Sequence, residues 1–211
     1  MKIKKKNTII ILGSTGSIGK SSLDVISKNK KKFNFILLSA EKNYKNISYQ
    51  ITTLKPKYFV VMNKKVFKKI KYKFRKNKTK IFNNFEILKK IKKTDLTISA
   101  IPGIAGLEPT LFSIKKTKKI LIANKESIIC GWNIIKKLAK IYNTKISSID
   151  SEHFSIDKIL HNFKNYNEVN NIYLTASGGP FLNYKKKDLL KITPKNATKH
   201  PKWKMGKKIS V

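Results

Sequence analysis

The 211-residue sequence predicts an α/β protein built on a doubly wound parallel sheet, and three observations carry that reading. Short β-branched and aliphatic runs recur along the chain. Segments of helical character separate them. The first run also passes directly into a glycine-rich turn and then a helix. Strands that alternate with helices form right-handed parallel sheets, and such strands are apolar on both faces because helices cover both sides.

The first strand is Thr8 to Leu12, continuously apolar from Ile9. It runs into Gly13-Ser14-Thr15-Gly16-Ser17-Ile18-Gly19, after which Ser21 to Lys28 reads as a helix with Leu23, Val25 and Ile26 inward. Glycines three apart between strand and helix permit a tight turn, close approach of backbone to a pyrophosphate, and close packing of helix on sheet. The hydroxyls of Ser14, Thr15 and Ser17 add donors for phosphate oxygens. A rival lies in the same residues. Ser14 to Ser21 reads STGSIGKS, one position away from the GxxxxGK[ST] loop of nucleoside triphosphatases, with Ser14 where the first glycine should stand.

The second strand, Phe35 to Leu38, ends in Ser39-Ala40-Glu41-Lys42-Asn43, near the place where a dinucleotide fold meets the adenosine ribose. Glu41 suits a free 2′-hydroxyl and Lys42 a 2′-phosphate, so local chemistry leaves NAD and NADP both open. Further strands are read at Tyr58 to Met62, Leu96 to Ala100, Lys119 to Ala123 and Lys145 to Ile149. Helices are read at Leu107 to Lys116 and at Ser127 to Ile141, with Ile128, Ile129, Ile134, Ile135 and Leu138 as the apolar stripe and Ser127 as a possible cap. Lys64 to Lys80 interleaves Val66, Phe67, Ile70, Tyr72 and Phe74 with lysine, as a helix or strand with a solvated outer face would.

In an open parallel sheet the ligand crevice lies outside the carboxyl ends of the strands. That rule gathers five polar clusters on one edge: Gly13 to Gly19, Ser39 to Asn43, Ala100 to Gly106, Asn124 to Ser127, and Asp150 to Glu152. The last stands out because 48 Lys and Arg oppose only 11 Asp and Glu in this chain. Two carboxylates at i and i+2 can project on one face of an extended segment and converge on a cation. Lys125 could orient a substrate oxyanion beside them.

The formal charge of +37 implies attraction to phosphate, whether on nucleic acid, an anionic membrane or a small substrate. Arg75 is the only arginine, whereas specific base and phosphate readers favour the bidentate guanidinium. Lysine spread over the whole chain therefore points away from a nucleic-acid groove. Cys130 is the only cysteine, which excludes an internal disulfide and fits a reducing cytoplasm. The basic start followed by Ile9 to Leu12 is too short an apolar run for a signal peptide, and no segment is apolar for long enough to cross a membrane.

The runs GSTGSIG, ANKES, DSEH, LTASGGPF and HPKWKMGKKISV, in this order and at these separations, resemble the 1-deoxy-D-xylulose 5-phosphate reductoisomerase family across Thr8 to Val211. The resemblance disposes of the triphosphatase reading. It implies a Rossmann-like NADPH-binding domain over 1–149 and the beginning of an α+β catalytic domain over 150–211. It implies that NADPH is held by Thr15, Gly16, Ser17, Ile18, Lys42, Asn43, Asn124, Glu126 and Gly206. It further implies that Asp150 and Glu152 ligate Mg²⁺ or Mn²⁺, with Co²⁺ as an alternative. Substrate then meets Lys125, Ser151, Glu152, Ser177, His200 and Trp203, the last in a flap from Pro201 to Gly206 that also holds Met205. His153 is read as structural.

The implied reaction is a metal-assisted skeletal rearrangement of 1-deoxy-D-xylulose 5-phosphate followed by hydride transfer from NADPH, giving 2-C-methyl-D-erythritol 4-phosphate for isoprenoid synthesis. The family usually carries a small residue, often glycine, where this chain has Glu41. Its last motif normally continues past the equivalent of Val211 into further phosphate ligands, a third metal carboxylate, a dimerising sheet and a helical domain. The chain is accordingly expected to be a fragment inactive alone, and the homodimer of the full-length family is not expected to carry over unchanged. The competing expectation is a basic remnant that binds nucleic acid or phosphates without catalysis.

Overall fold

Ile9, Ile10, Ile11 and Leu12 are all fully buried, and they explain why the sheet forms where it does. Successive side chains of a strand point to opposite faces. Ile9 and Ile11 enter one core with Leu23, Leu38 and Phe59, while Ile10 and Leu12 enter a second core with Leu37, Val60 and Leu88. A strand buried on both faces has no use for polar alternation, so its sequence is a solid aliphatic run.

The computed structural model describes residues 6–163, 165–175 and 179–199. Seven strands form one sheet: β1 Asn7–Leu12, β2 Phe33–Ala40, β3 Tyr58–Val61, β4 Lys80–Phe82, β5 Thr94–Ser99, β6 Thr117–Ile122 and β7 Lys145–Ser148. Their order is β4-β3-β2-β1-β5-β6-β7, and every neighbouring pair is parallel. The chain winds outward from β1 in one direction, then returns to lay β5 on its other side. That reversal between β1 and β5 is the switch point at which such sheets open a crevice.

The helices are α1 Ser17–Ser27, α2 Tyr44–Leu54, α3 Lys64–Lys73, α4 Ile87–Lys90, α5 Leu107–Ile114, α6 Lys125–Tyr142 and α7 Ser151–Leu160, with a short α8 at Pro194–Ala197. The chain falls into two compact units, Met1–His161 and Asn162–Val211. The first holds the sheet and α1 to α7. The second holds, among its described residues, two 3-10 turns at Tyr166–Glu168 and Lys186–Lys191 and the α8 turn, which Thr193 and Asn196 close with a reciprocal capping box. No helix among the described residues is long and apolar enough to cross a membrane.

Several local expectations are corrected. Val25 was expected inward on α1 but is 67% exposed, because the buried stripe is carried by Gly19, Leu23 and Ile26. On α6, Ile135 is fully buried and Ile128 and Leu138 pack beside it, whereas Ile129 and Ile134 lie on the outer face. The cap of α6 is Asn124 rather than Ser127; the Asn124 side chain accepts from the Ser127 amide at 2.9 Å. Lys64 to Lys73 resolves as helix, with Ile70 buried and Val66 and Phe67 packed against the first core. β4, α2 and α4 carry no strong sequence signal and were not anticipated.

Candidate functional site

The glycine turn is shaped by contacts that leave no room for side chains at its two ends. Gly13 has φ +80° and a Cβ there would stand 2.6 Å from the Ala100 carbonyl oxygen, so β1 and the β5 loop meet backbone to backbone. At Gly19 a Cβ would lie 2.3 Å from the Gly13 carbonyl oxygen, which is how α1 settles onto the turn. Gly16 differs: the nearest protein atom to a Cβ there is 3.4 Å away. Its backbone caps α1 with no side-chain acceptor, leaving the first-turn N–H groups for an external anion.

Ser14 corrects one expectation. It is fully buried, with its hydroxyl 2.6 Å from Gln50 Oε1 and 3.1 Å from the Ser39 carbonyl oxygen. The Gln50 amide donates back to the Ser14 carbonyl at 3.0 Å, and the Gly13 amide donates to Ser39 Oγ at 3.0 Å. Ser14 therefore ties the turn to β2 and α2 and is not a phosphate donor. Gln50, which carries no motif, is the residue that sequence reasoning missed here.

Around this turn lies a cleft of about 590 Å³. Gly13, Thr15 and Gly16 line it from β1, Ser39 to Asn43 from β2, and Ala100, Ile101, Pro102 and Ala105 from the loop after β5. Met62 and Phe85 also line it. Met62 was legible as the end of a strand, but Phe85 lies between β4 and α4 with nothing local to mark it. Asn43 caps α2 by accepting from the Asn46 amide at 3.1 Å. Ser17 and Ile18 open α1, both exposed. A cleft of this size beside unpaired helix N–H groups, with glycine where a side chain would project, fits a dinucleotide.

Asn124 organises the neighbouring edge. Buried to 3% exposure, it donates to the Ile101 carbonyl and, at 2.8 Å, to the Gly103 carbonyl. One side chain thus fastens the AIPGIAG loop to the start of α6. Lys125 and Glu126 follow in the first turn.

The carboxylates are not on an extended segment. Asp150 is the cap of α7, accepting from the His153 amide at 3.1 Å, and Ser151 and Glu152 are in the first helical turn. Lys125 Nζ lies 3.0 Å from Glu152 Oε2, so α6 and α7, which follow the adjacent strands β6 and β7, bring the two together. Partial burial pushes the Asp150 carboxyl up, but hydrogen bonds from the Ser148 hydroxyl, the His153 ring and the His153 amide outweigh it and hold the value at about 2. Glu152 is lowered by its own backbone amide and then by Lys125, partial burial opposing. Both are therefore anionic at neutral pH, hard oxygen donors that suit Mg²⁺ or Mn²⁺. No group of three or more His, Cys, Asp or Glu able to hold a metal occurs among the described residues. Ser177, His200, Trp203, Met205 and Gly206 lie outside the described residues.

Residues 9–131 match the model of the 1-deoxy-D-xylulose 5-phosphate reductoisomerase family, and residues 146–211 match the model of its C-terminal domain. The curated reductoisomerase of Pelagibacter ubique is 50% identical over 96% of this chain and 53% of its own length; that of Clostridium novyi is 41% identical over 96% and 54%. The chain thus spans about half the length of the curated relatives it matches. Among solved structures, the Zymomonas mobilis reductoisomerase in complex with NADPH superposes with a TM-score of 0.80 at 31% identity, covering 93% of this chain and 52% of that one. A reductoisomerase in complex with NADPH, fosmidomycin and magnesium gives 0.80 at 29% identity, covering 97% and 53%.

Proposed function

Because this chain belongs to the 1-deoxy-D-xylulose 5-phosphate reductoisomerase family, we propose that it forms the NADPH-binding and metal-binding part of an enzyme converting 1-deoxy-D-xylulose 5-phosphate to 2-C-methyl-D-erythritol 4-phosphate. The observation that carries the proposal is the cleft at the switch point, walled by Thr15, Gly16, Lys42 and Asn43. The nucleotide domain is proposed to end at Ile149, with residues from Asp150 onward serving metal and substrate. The enzyme is proposed to work in the cytoplasm on a phosphorylated sugar; the homodimer is an expectation for the full-length members of the family.

In this reading the open amides at Ser17 and Ile18 receive the pyrophosphate, the Gly16 amide being taken up by the Gly13 carbonyl at 3.1 Å, and Lys42 with the start of α2 faces the adenosine end. Asn124 holds the AIPGIAG loop in place under the nicotinamide end, with Glu126 beside it. NADPH supplies the hydride when bound. Asp150 and Glu152 would hold a hard divalent ion, whose Lewis acidity polarises the keto and hydroxyl oxygens of the substrate. The chain's own contribution is to keep both carboxylates ionised and aimed: Ser148 and His153 fix Asp150, and Lys125 fixes Glu152. Lys125 would also balance developing negative charge on substrate oxygen, and Ser151, at the first position of α7, offers a hydroxyl beside both. Ser177, His200, Trp203 and Gly206 complete the proposed substrate and cofactor contacts.

Titration of the chain with NADPH, followed by nucleotide fluorescence, tests the proposal. Saturable binding that disappears in Gly16→Asp is expected. Mn²⁺ binding read by electron paramagnetic resonance should weaken at least tenfold in Asp150→Asn. Failure of the wild-type chain to bind NADPH would overturn the reading.

A further inference from the structure

Among the described residues, Glu41 is the one acidic residue lining the nucleotide cleft. It follows the buried Ala40 at the carboxyl end of β2 and is itself exposed, as are Lys42 and Asn43. The backbone around it is held from outside: the Met62 amide donates to the Ala40 carbonyl and the Asn63 amide to the Glu41 carbonyl, both at 3.1 Å, and the Tyr44 amide donates to the Lys42 carbonyl at 2.9 Å. The Glu41 side chain, by contrast, has no hydrogen bond or ion pair among the described residues. An unpaired carboxylate in an anion-binding cleft works against phosphate unless it has a partner of its own to bind.

The end of the second strand is where a doubly wound sheet meets the adenosine ribose, and a carboxylate there accepts hydrogen bonds from ribose hydroxyls. Lys42 and Lys45 stand in the same turn, and the first turn of α2 contains no acid, so the helix end adds its own partial positive charge. The turn therefore holds two chemistries side by side: an acceptor for a free 2′,3′-diol and cations for a 2′-phosphate. With Glu41 present, a 2′-phosphate gains from the lysines and loses to the carboxylate. A free 2′-hydroxyl gains a charged acceptor and loses nothing.

We propose that Glu41 sets the dinucleotide preference of this chain by binding the ribose diol and opposing a 2′-phosphate, so that NADH is accepted alongside NADPH. The inference rests on the nucleotide-binding reading above and deepens it. A charged hydrogen bond is worth about a tenfold change in affinity, and removal of one nearby repulsion in a solvated cleft adds up to about fivefold.

The test is the ratio of NADH to NADPH dissociation constants, measured by fluorescence titration of the chain and of its Glu41→Gly and Glu41→Gln variants. Glu41 is exposed and does not have positive φ, so both variants keep the fold, which circular dichroism verifies. The expected result is a shift of at least tenfold toward NADPH in Glu41→Gly, with weaker NADH binding contributing, and a shift in the same direction in Glu41→Gln. A ratio that changes by less than about threefold in both variants, while NADPH still binds, overturns the role of Glu41 and leaves the nucleotide site standing. If neither dinucleotide binds the wild-type chain, the site reading itself fails and this inference fails with it.

Discussion

Glycine does different work at two positions in one turn, and substitution separates them. Alanine at Gly19 would force a methyl group to 2.3 Å from the Gly13 carbonyl oxygen, a backbone atom that cannot swing away. The expected cost is about 2 to 3 kcal/mol of stability, read by thermal or urea unfolding. Alanine at Gly16 meets no protein atom closer than 3.4 Å, so stability should stay within about 0.5 kcal/mol while NADPH affinity falls at least tenfold. Asp95 supplies a second residue-scale test. The Lys118 ammonium, then the amide and hydroxyl of Thr8, hold its carboxyl well below the ordinary carboxylate range, partial burial opposing. A depressed folded value contributes stability that is complete above the unfolded value, about 3.9, and is lost as pH falls through the folded one. Asp95→Asn should therefore cost about 1 to 3 kcal/mol at neutral pH, and its deficit should shrink below about pH 3. A deficit that stayed constant down to acid would assign the effect to packing.

At the scale of elements, α6 shows why a sequence stripe and a buried face need not coincide. Ile129 and Ile135 both belong to the aliphatic pattern of that helix, yet Ile129 is 80% exposed and Ile135 fully buried against Ile114 and Ile120. Ile135→Ala should cost about 2 to 5 kcal/mol, whereas Ile129→Lys should change unfolding free energy by no more than about 0.5 kcal/mol. The strand β1 was legible to within one residue, Thr8 to Leu12 against the observed Asn7–Leu12, because burial on both faces demands an unbroken aliphatic run. The edge strand β4, only Lys80–Phe82, was not, because three residues with one lysine carry no period. The carboxylates were legible as a pair, but their setting was read as extended. Asp150 is instead the cap that starts α7, a role its side chain takes by accepting the His153 amide.

At the scale of the molecule, the charge of +37 acts on stability more than on fold. Self-repulsion among exposed lysines falls as salt shortens the screening length from about 30 Å at 0.01 M to about 3 Å at 1 M. The melting temperature should therefore rise across that range in NaCl, and a flat profile would mean that the lysines are already neutralised by bound anions. NADPH affinity should move the opposite way, weakening with salt, because its phosphates are drawn by the same field. The two trends, measured on one preparation, separate charge repulsion in the fold from charge attraction at the cleft.

The sequence by itself determined the doubly wound class, the glycine turn and the short list of polar clusters, because each depends on local stereochemistry or on unbroken burial. Tertiary structure alone decided which of those residues line the cleft and which are turned inward. Ser14 lies inside the motif but is turned inward by Gln50, thirty-six positions away. Lys125 meets Glu152 only because β6 and β7 are neighbours and deliver α6 and α7 to the same edge. Glu41 lines the cleft, where its carbonyl accepts the Asn63 amide and its carboxylate has no hydrogen bond or ion pair among the described residues. Contacts between residues distant in the chain are fixed by strand order, and strand order is written in no single stretch of sequence.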